Sequence, residues 1–152
     1  MEDTKQVLNQ LFVDVFNQFL TLEDRVVAKG SGYNISMTET HVLDAIDKCN
    51  PPTMGAVANK LSITPGTLTT SVNKLIDKEF VTRARDSDDR RIVTLSLTER
   101  GREVCKLHEE FHEESMEVAL RDFENRDDLR KALESINRFF QNLCENHDSN
   151  NN

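Results

Sequence analysis

Four arginines and three aspartates crowd the nine residues from Arg83 to Arg91, in the stretch RARDSDDRR. Guanidinium groups are planar and permanently charged, so a cluster of them suits the binding of a polyanion. The aspartates open two alternatives, a metal-binding loop and a solvated turn. A calcium loop beginning at Asp86 would need an oxygen ligand, a glycine and a glutamate at positions 5, 6 and 12. The sequence has two arginines and a leucine there, which argues against the calcium alternative.

The net charge of the chain is −8, which at first sight argues against a nucleic-acid partner. The charge is unevenly distributed, however. Residues 60–91 hold seven basic and five acidic side chains, whereas residues 1–59 and 102–152 are acidic. A basic segment within an acidic chain indicates a local anion-binding face.

Helices surround this basic segment. Apolar residues recur every three or four positions from Thr4 to about Lys29, which predicts a long amphipathic helix. The next helix is predicted to begin with Thr38 as its cap and to end near Cys49. Because His41 stands three residues after Thr38, we expect a simple cap rather than a capping box.

Two shorter helices follow, and they are the elements that would position the basic residues. Thr53 can cap MGAVANKL, and Thr64 can cap PGTLTTSVNKLIDKEF with Pro65 at its first position. Two helices joined by about four residues fit a helix-turn-helix.

The spacing of apolar residues then changes from a helical pattern to a strand-like alternation. FVTRAR and RIVTLSLT are rich in β-branched residues, and the second places Val93, Leu95 and Leu97 on one face. DSDD between them is typical of a hairpin tip. Thr98 can cap another long helix, and a last helix is predicted from about Arg126 to Cys144.

This order of elements predicts a mainly α (α+β) fold, a winged helix-turn-helix with long terminal helices that form a dimerisation region. We expect one domain over residues 1–152, with a DNA-binding lobe at 38–100 and dimerisation helices at 1–36 and 101–146. Apolar side chains on these terminal helices are the candidate dimer contacts: Leu11, Phe12, Phe16, Phe111, Phe139 and Phe140.

The second helix of the helix-turn-helix offers short polar side chains on its outward face. With its apolar stripe turned inward, the outward residues are Thr67, Thr69, Thr70, Asn73 and Lys74. Such groups can reach base edges and phosphates in a major groove. The arginines at the hairpin are slim enough to enter a minor groove. A neighbouring carboxylate, Asp89, can orient a guanidinium group.

Two histidines, His108 and His112, are four residues apart in KLHEEFHEE. This spacing places both on one helix face, as a metal pair requires, and the string also reads H-E-x-x-H, the zinc-protease pattern. Spacing identifies no third ligand, and a winged helix has no cleft for a peptide. We therefore expect no protease activity and no resident cofactor, with a bound regulatory metal left open.

The remaining features exclude other classes. The sequence has no GxSxG, no Cys/His signature and no glycine-rich phosphate loop, so we do not expect an enzyme. The cysteines at 49, 105 and 144 form no CxxC motif and are expected to be reduced thiols. The acidic, polar N-terminus and the absence of a membrane-length apolar run predict a cytoplasmic protein with no membrane partner.

The segment from LSITPGTLTTSVNKL to TLSLTERG resembles the core of the MarR family of bacterial transcription regulators, in the D-R-R of the wing and in L-T-x-x-G. The resemblance implies a homodimeric winged-helix repressor of a pseudo-palindromic double-stranded operator. It places the five outward residues in or beside the major groove. Arg91 matches the family's minor-groove arginine, with Arg90 and Asp89 beside it and Arg83 and Arg85 along the wing.

A closer resemblance, in ISMTETHVLDAI, GTLTTSVNKL, DRRIVTLSLT and LHEEFHEE, is to FabT-type repressors of fatty-acid synthesis genes. It implies an acyl chain on acyl carrier protein as co-repressor, although LHEEFHEE is a poor surface for an acidic carrier. The competing alternative is a small-ligand or metal sensor of another pathway. His41, His108 and His112 resemble the ligand positions of the family's zinc-sensing branch. The peroxide-sensing branch is disfavoured, because residues 1–48 contain no cysteine.

Overall fold

The computed structural model describes residues 3–85, 89, 92–121 and 123–149, with side chains up to residue 142. The predicted hairpin tip (86–88), Arg90, Arg91 and the side chain of Cys144 lie outside the described residues. Within the described ranges, none of the helices combines the length and hydropathy needed to cross a membrane.

The N-terminal helix is continuous over three segments: α1 (Thr4–Gln10), a π-helical turn (Leu11–Val15) and α2 (Phe16–Ser31). Asp3 caps it, since its carboxylate accepts a hydrogen bond from the Lys5 amide at 3.3 Å. It ends at Gly32, which adopts a left-handed conformation (φ 67°) that favours glycine. The long helix predicted from Thr4 is confirmed.

The start of α3 (Met37–Lys48) corrects the predicted cap at Thr38. Ser36 is the cap, and a capping box forms because the Glu39 amide donates to Ser36 Oγ while the Ser36 amide donates to Glu39 Oε2. Burial opposes ionisation of Glu39, but hydrogen bonds from Lys78 and Ser36 lower the pKa of this carboxyl. The box satisfies two helix-end donors at once, which the Thr38–His41 register could not do.

The helix-turn-helix consists of α4 (Met54–Leu61) and α5 (Pro65–Asp77). Thr53 and Thr64 cap them, as predicted from the sequence. The inward stripe of α5 is fully buried at Leu68, Val72 and Leu75. Burial of a side chain of this size contributes about 1.5–3 kcal/mol, so this stripe fixes the rotation of α5 and thereby its outward face.

The predicted hairpin is an antiparallel pair, β1 (Val81–Arg85) and β2 (Val93–Leu97), in which Arg83 lies opposite Leu95. Leu95 and Leu97 face the core. A third segment joins the pair, since the Leu95 amide donates to the Pro52 carbonyl at 2.9 Å. The two strands following a helix-turn-helix confirm the winged-helix prediction.

Two long helices complete the chain, α6 (Glu99–Leu120) and α7 (Arg126–Ser149). Thr98 caps α6, because the Gly101 amide donates to its hydroxyl oxygen at 3.2 Å. The chain divides into two compact units, Met1–His112 and Glu113–Asn152. The first contains the whole winged helix and most of α6, and the second contains the end of α6 together with α7.

Candidate functional site

The outward face of α5 is polar and exposed. All five residues predicted to face outward, Thr67, Thr69, Thr70, Asn73 and Lys74, are exposed. The helix thus presents three hydroxyls, one amide and one ammonium group on the side opposite its buried stripe.

Two of these hydroxyls have committed their protons to the helix backbone. Thr69 Oγ1 donates to the Pro65 carbonyl at 2.8 Å, and Thr70 Oγ1 donates to the Gly66 carbonyl at 3.2 Å. Because a hydroxyl has a single proton, both side chains present an acceptor oxygen and a methyl group to the exterior.

On the wing, Arg83 and Arg85 are exposed and Asp89 is half-buried. Arg83 Nη1 donates a hydrogen bond to Asn73 Oδ1 at 3.2 Å, which joins the wing to the outward face of α5. The minor-groove role predicted for Arg90 and Arg91 stays a prediction.

The residues predicted to mediate dimerisation fall into two groups. Five are exposed on their helices: Leu11, Phe12, Phe16, Phe139 and Phe140. Phe111 is buried instead within its own chain, where its ring lies 5.4 Å from that of Phe19. Exposed phenylalanines indicate surface that a partner can cover, whereas Phe111 packs inside its own chain.

A cluster of one carboxylate and three imidazoles lies among α2, α3 and α6. Glu23 of α2 is only 1% exposed. Its Oε1 lies 2.7 Å from His108 Nε2 and 2.6 Å from His112 Nε2, and the two imidazole nitrogens are 3.2 Å apart. His41 Nε2 of α3 lies 3.9 Å from Glu23 Oε2. The sequence indicated the three histidines as candidate metal ligands, and the structure places them close together with Glu23.

The spacing within this Glu23–histidine cluster suits a transition-metal ion. Ligand atoms about 2.0–2.2 Å from a tetrahedral Zn²⁺ lie about 3.3–3.6 Å from one another. The distances between the cluster's donor atoms lie on either side of that range, so small side-chain shifts would complete the geometry. Burial lowers the pKa of His108 despite the nearby Glu23 carboxylate, which favours the neutral imidazole that binds metal.

The cluster also has an outer partner. His108 Nδ1 faces Asp44 Oδ1 at 3.9 Å, and Asp44 is paired with Lys48 at 2.6 Å. Histidine ligands of metals commonly direct their second nitrogen toward a carboxylate, which orients the ring. At 3.9 Å the Asp44 carboxylate is beyond hydrogen-bond distance of Nδ1, so a side-chain shift would be needed for that role.

Glu23 is the residue that the sequence analysis missed. It occupies an inward position of the first helix, four residues after Phe19 and four before Val27. A carboxylate on an apolar stripe is costly to bury unless it is paired. This interruption of the apolar stripe was the available signal for a fourth member of the cluster.

The thiol of Cys105 is unsuited to redox sensing. Cys105 is buried, and its burial, with nearby Asp47 and Asp44, raises the pKa of the thiol to about 12. Since the thiolate is the reactive form, Cys105 is inert near neutral pH. The expectation that the cysteines are reduced thiols stays a prediction.

Comparison with known proteins identifies similar regulators. Residues 35–93 match the MarR family. The chain is 32% identical to the HTH-type transcriptional regulator SarZ of Staphylococcus saprophyticus over 118 residues, covering 72% of this chain and 75% of that protein. It is 29% identical to the transcriptional regulator ZitR of Lactococcus lactis over 107 residues, covering 69% and 73%.

Among solved structures, the chain is similar to Streptococcus pneumoniae FabT in complex with DNA. The TM-score is 0.79 at 30% sequence identity, and the match covers 93% of this chain and 98% of that one. The likeness therefore extends beyond the winged helix.

Proposed function

The chain belongs to the MarR family of DNA-binding transcriptional regulators, and we propose that it is a cytoplasmic, homodimeric repressor whose operator affinity is controlled by a bound transition-metal ion. The observation that carries the metal assignment is the convergence of Glu23, His108 and His112, with His41 beside them. Three imidazoles and a carboxylate are ligand types that Zn²⁺ takes in proteins.

The position of the ligands suggests how they would affect DNA binding. They come from three helices, α2, α3 and α6, and a bound ion would supply a cross-link between them. At the N-terminal end of α3, Glu39 forms an ion pair with Lys78, the residue just after α5, at 2.8 Å. Fixing α3 would therefore restrict α5. Because a restricted lobe loses less conformational entropy on binding an operator, we expect the ion to act as a co-repressor.

Homodimerisation is supported by the exposed apolar side chains of the N-terminal helix, among them Leu11, Phe12 and Phe16, and of α7. A two-fold dimer would present two copies of α5 to half-sites about one helical turn apart. The predicted operator is therefore pseudo-palindromic double-stranded DNA. Selection of bound fragments from the host genome tests this; recovery of fragments without a shared palindrome would contradict it.

Arg91→Ala tests the wing. The resemblance places Arg91 in a minor groove, so its loss should weaken operator binding by about 1–3 kcal/mol per contact and lower the salt dependence of binding. Fluorescence anisotropy across a salt series measures both quantities. If affinity and salt slope both match those of the unmodified protein, the wing assignment is wrong.

A second candidate function is repression of fatty-acid synthesis genes with an acyl carrier protein-linked co-repressor. The likeness to FabT over nearly the whole chain supports it. The acidic surface of α6, which includes Glu109, Glu110, Glu113 and Glu114, disfavours an acidic carrier. Adding acylated carrier protein or Zn²⁺ to the same operator assay separates the two candidates.

A further inference from the structure

The hydrogen bond between Arg83 and Asn73 has a consequence for base recognition. Arg83 Nη1 donates to Asn73 Oδ1 at 3.2 Å, and both side chains are exposed beside the outward face of α5. A carboxamide has one acceptor oxygen and an NH₂ group with two donors. Engaging the oxygen from the wing orients the amide and leaves Asn73 Nδ2 directed away from Arg83.

We propose that Arg83 is a positioning residue that sets the base preference of Asn73, so that Asn73 selects guanine over adenine at one base pair of each half-site. This inference rests on the proposed function, because it requires α5 to lie in the major groove. It goes beyond that function in assigning a specificity role to a contact between the wing and the helix.

The chemistry of the groove gives the direction of the preference. Guanine presents two acceptors, N7 and O6, whereas adenine presents the N7 acceptor and an N6 donor. An unrestrained asparagine binds adenine through both its oxygen and its NH₂ group. With its oxygen engaged by Arg83, Asn73 offers chiefly donors and is matched to the acceptor edge of guanine.

The neighbouring side chains reinforce this division of roles. The protons of Thr69 and Thr70 are committed to backbone carbonyls, so these residues present acceptors and methyl groups. Asn73 and Lys74 contribute N–H donors to the same face. The orientation of the Asn73 amide therefore matters more than it would on a face rich in rotatable donors.

The test compares four duplexes that differ at a single base pair. The operator is first selected from random duplexes with the unmodified protein, and the base pair read by Asn73 is the one whose preference disappears in Asn73→Ala. Anisotropy then gives the affinity for each of the four duplexes with the unmodified protein, Arg83→Met and Arg85→Met. Arg85 is the matched control because it lies two residues along the same strand and is also exposed.

We expect the unmodified protein to favour guanine over adenine by about fivefold or more, and Arg83→Met to remove or reverse that preference. Arg85→Met should weaken binding to all four duplexes equally. The double variant with Asn73→Ala and Arg83→Met should have the same base preference as Asn73→Ala alone, because the side chain that Arg83 positions is then absent.

If Arg83→Met weakens binding to all four duplexes equally, the inference is overturned, since Arg83 would then act only as a charge near phosphates. Unchanged operator binding in both Asn73→Ala and Lys74→Ala would instead refute the placement of α5 in the groove, and with it the proposed mode of DNA binding. All of these side chains are exposed, and circular dichroism verifies that each variant is folded.

Discussion

Replacing His108 with alanine is expected to lower the affinity of the protein for Zn²⁺ by about 100-fold or more. His108 is the most buried histidine of the Glu23–histidine cluster, and its Nε2 lies within 3.2 Å of both Glu23 Oε1 and His112 Nε2. Loss of an outer partner of a metal ligand already costs about 10–100-fold in affinity, so loss of the ligand itself should cost more. Titration of the metal-free protein with Zn²⁺ against a competing chelator measures the effect.

His147→Ala is the matched control, because His147 is the remaining histidine of the sequence and is not one of the cluster's four side chains. It should bind Zn²⁺ like the unmodified protein. Since His108 is buried, its loss could also disturb packing. His112→Ala and His41→Ala address this, as both side chains are about two-fifths exposed. If all three cluster variants retain the original affinity, the ion does not bind at this cluster.

Gly101→Ala is expected to destabilise the protein by about 3 kcal/mol, at the upper end of the cost of overpacking a core. Gly101 is buried in the first turn of α6, and a Cβ atom there would lie 2.4 Å from the Phe80 carbonyl oxygen and 3.4 Å from Leu97 Cβ. The obstructing atom belongs to the backbone just before β1, so relief requires movement of the helix or the wing. The glycine of the L-T-x-x-G motif is thus required for close packing between α6 and the hairpin.

Gly55→Ala provides the comparison for Gly101→Ala. Gly55 also lies in the first turn of a helix, but nothing is within 4 Å of an added Cβ. Because alanine favours helix over glycine, this change should stabilise the protein by about 0.5–1 kcal/mol. Urea denaturation of both variants gives the free energies of unfolding. Equal stability of the two would show that the packing at Gly101 is not restrictive.

The winged helix was predictable because its determinants are local. Thr53, Thr64 and Thr98 are side chains that cap the helix immediately following them, and the alternation of β2 requires only the residues of that strand. The cap of α3 was wrongly predicted at Thr38 because two candidate capping positions, Ser36 and Thr38, lie two residues apart. Ser36 and Glu39 form the reciprocal capping box, and their spacing in the sequence already matches the Ser-x-x-Glu pattern of that motif.

The Glu23–histidine cluster was only partly predictable, because its four side chains come from three helices. The spacing of His108 and His112 follows from a single helix, whereas the approach of Glu23 and His41 depends on how α2 and α3 pack against α6. The hydrogen bond between Arg83 and Asn73 likewise joins a strand and a helix whose separation no local pattern specifies. Contacts between side chains of different helices and strands depend on the tertiary structure, so local sequence patterns could not predict them.

Control of DNA binding by a metal ion held by Glu23 and the histidines can be measured as operator affinity in the same protein with chelator and then with one equivalent of Zn²⁺. The expected result is operator binding tighter by about tenfold or more with Zn²⁺, as for a typical allosteric coupling, and no change in His112→Ala. Operator affinity that is identical in the two conditions, with Zn²⁺ shown to be bound, would show that the ion does not control DNA binding.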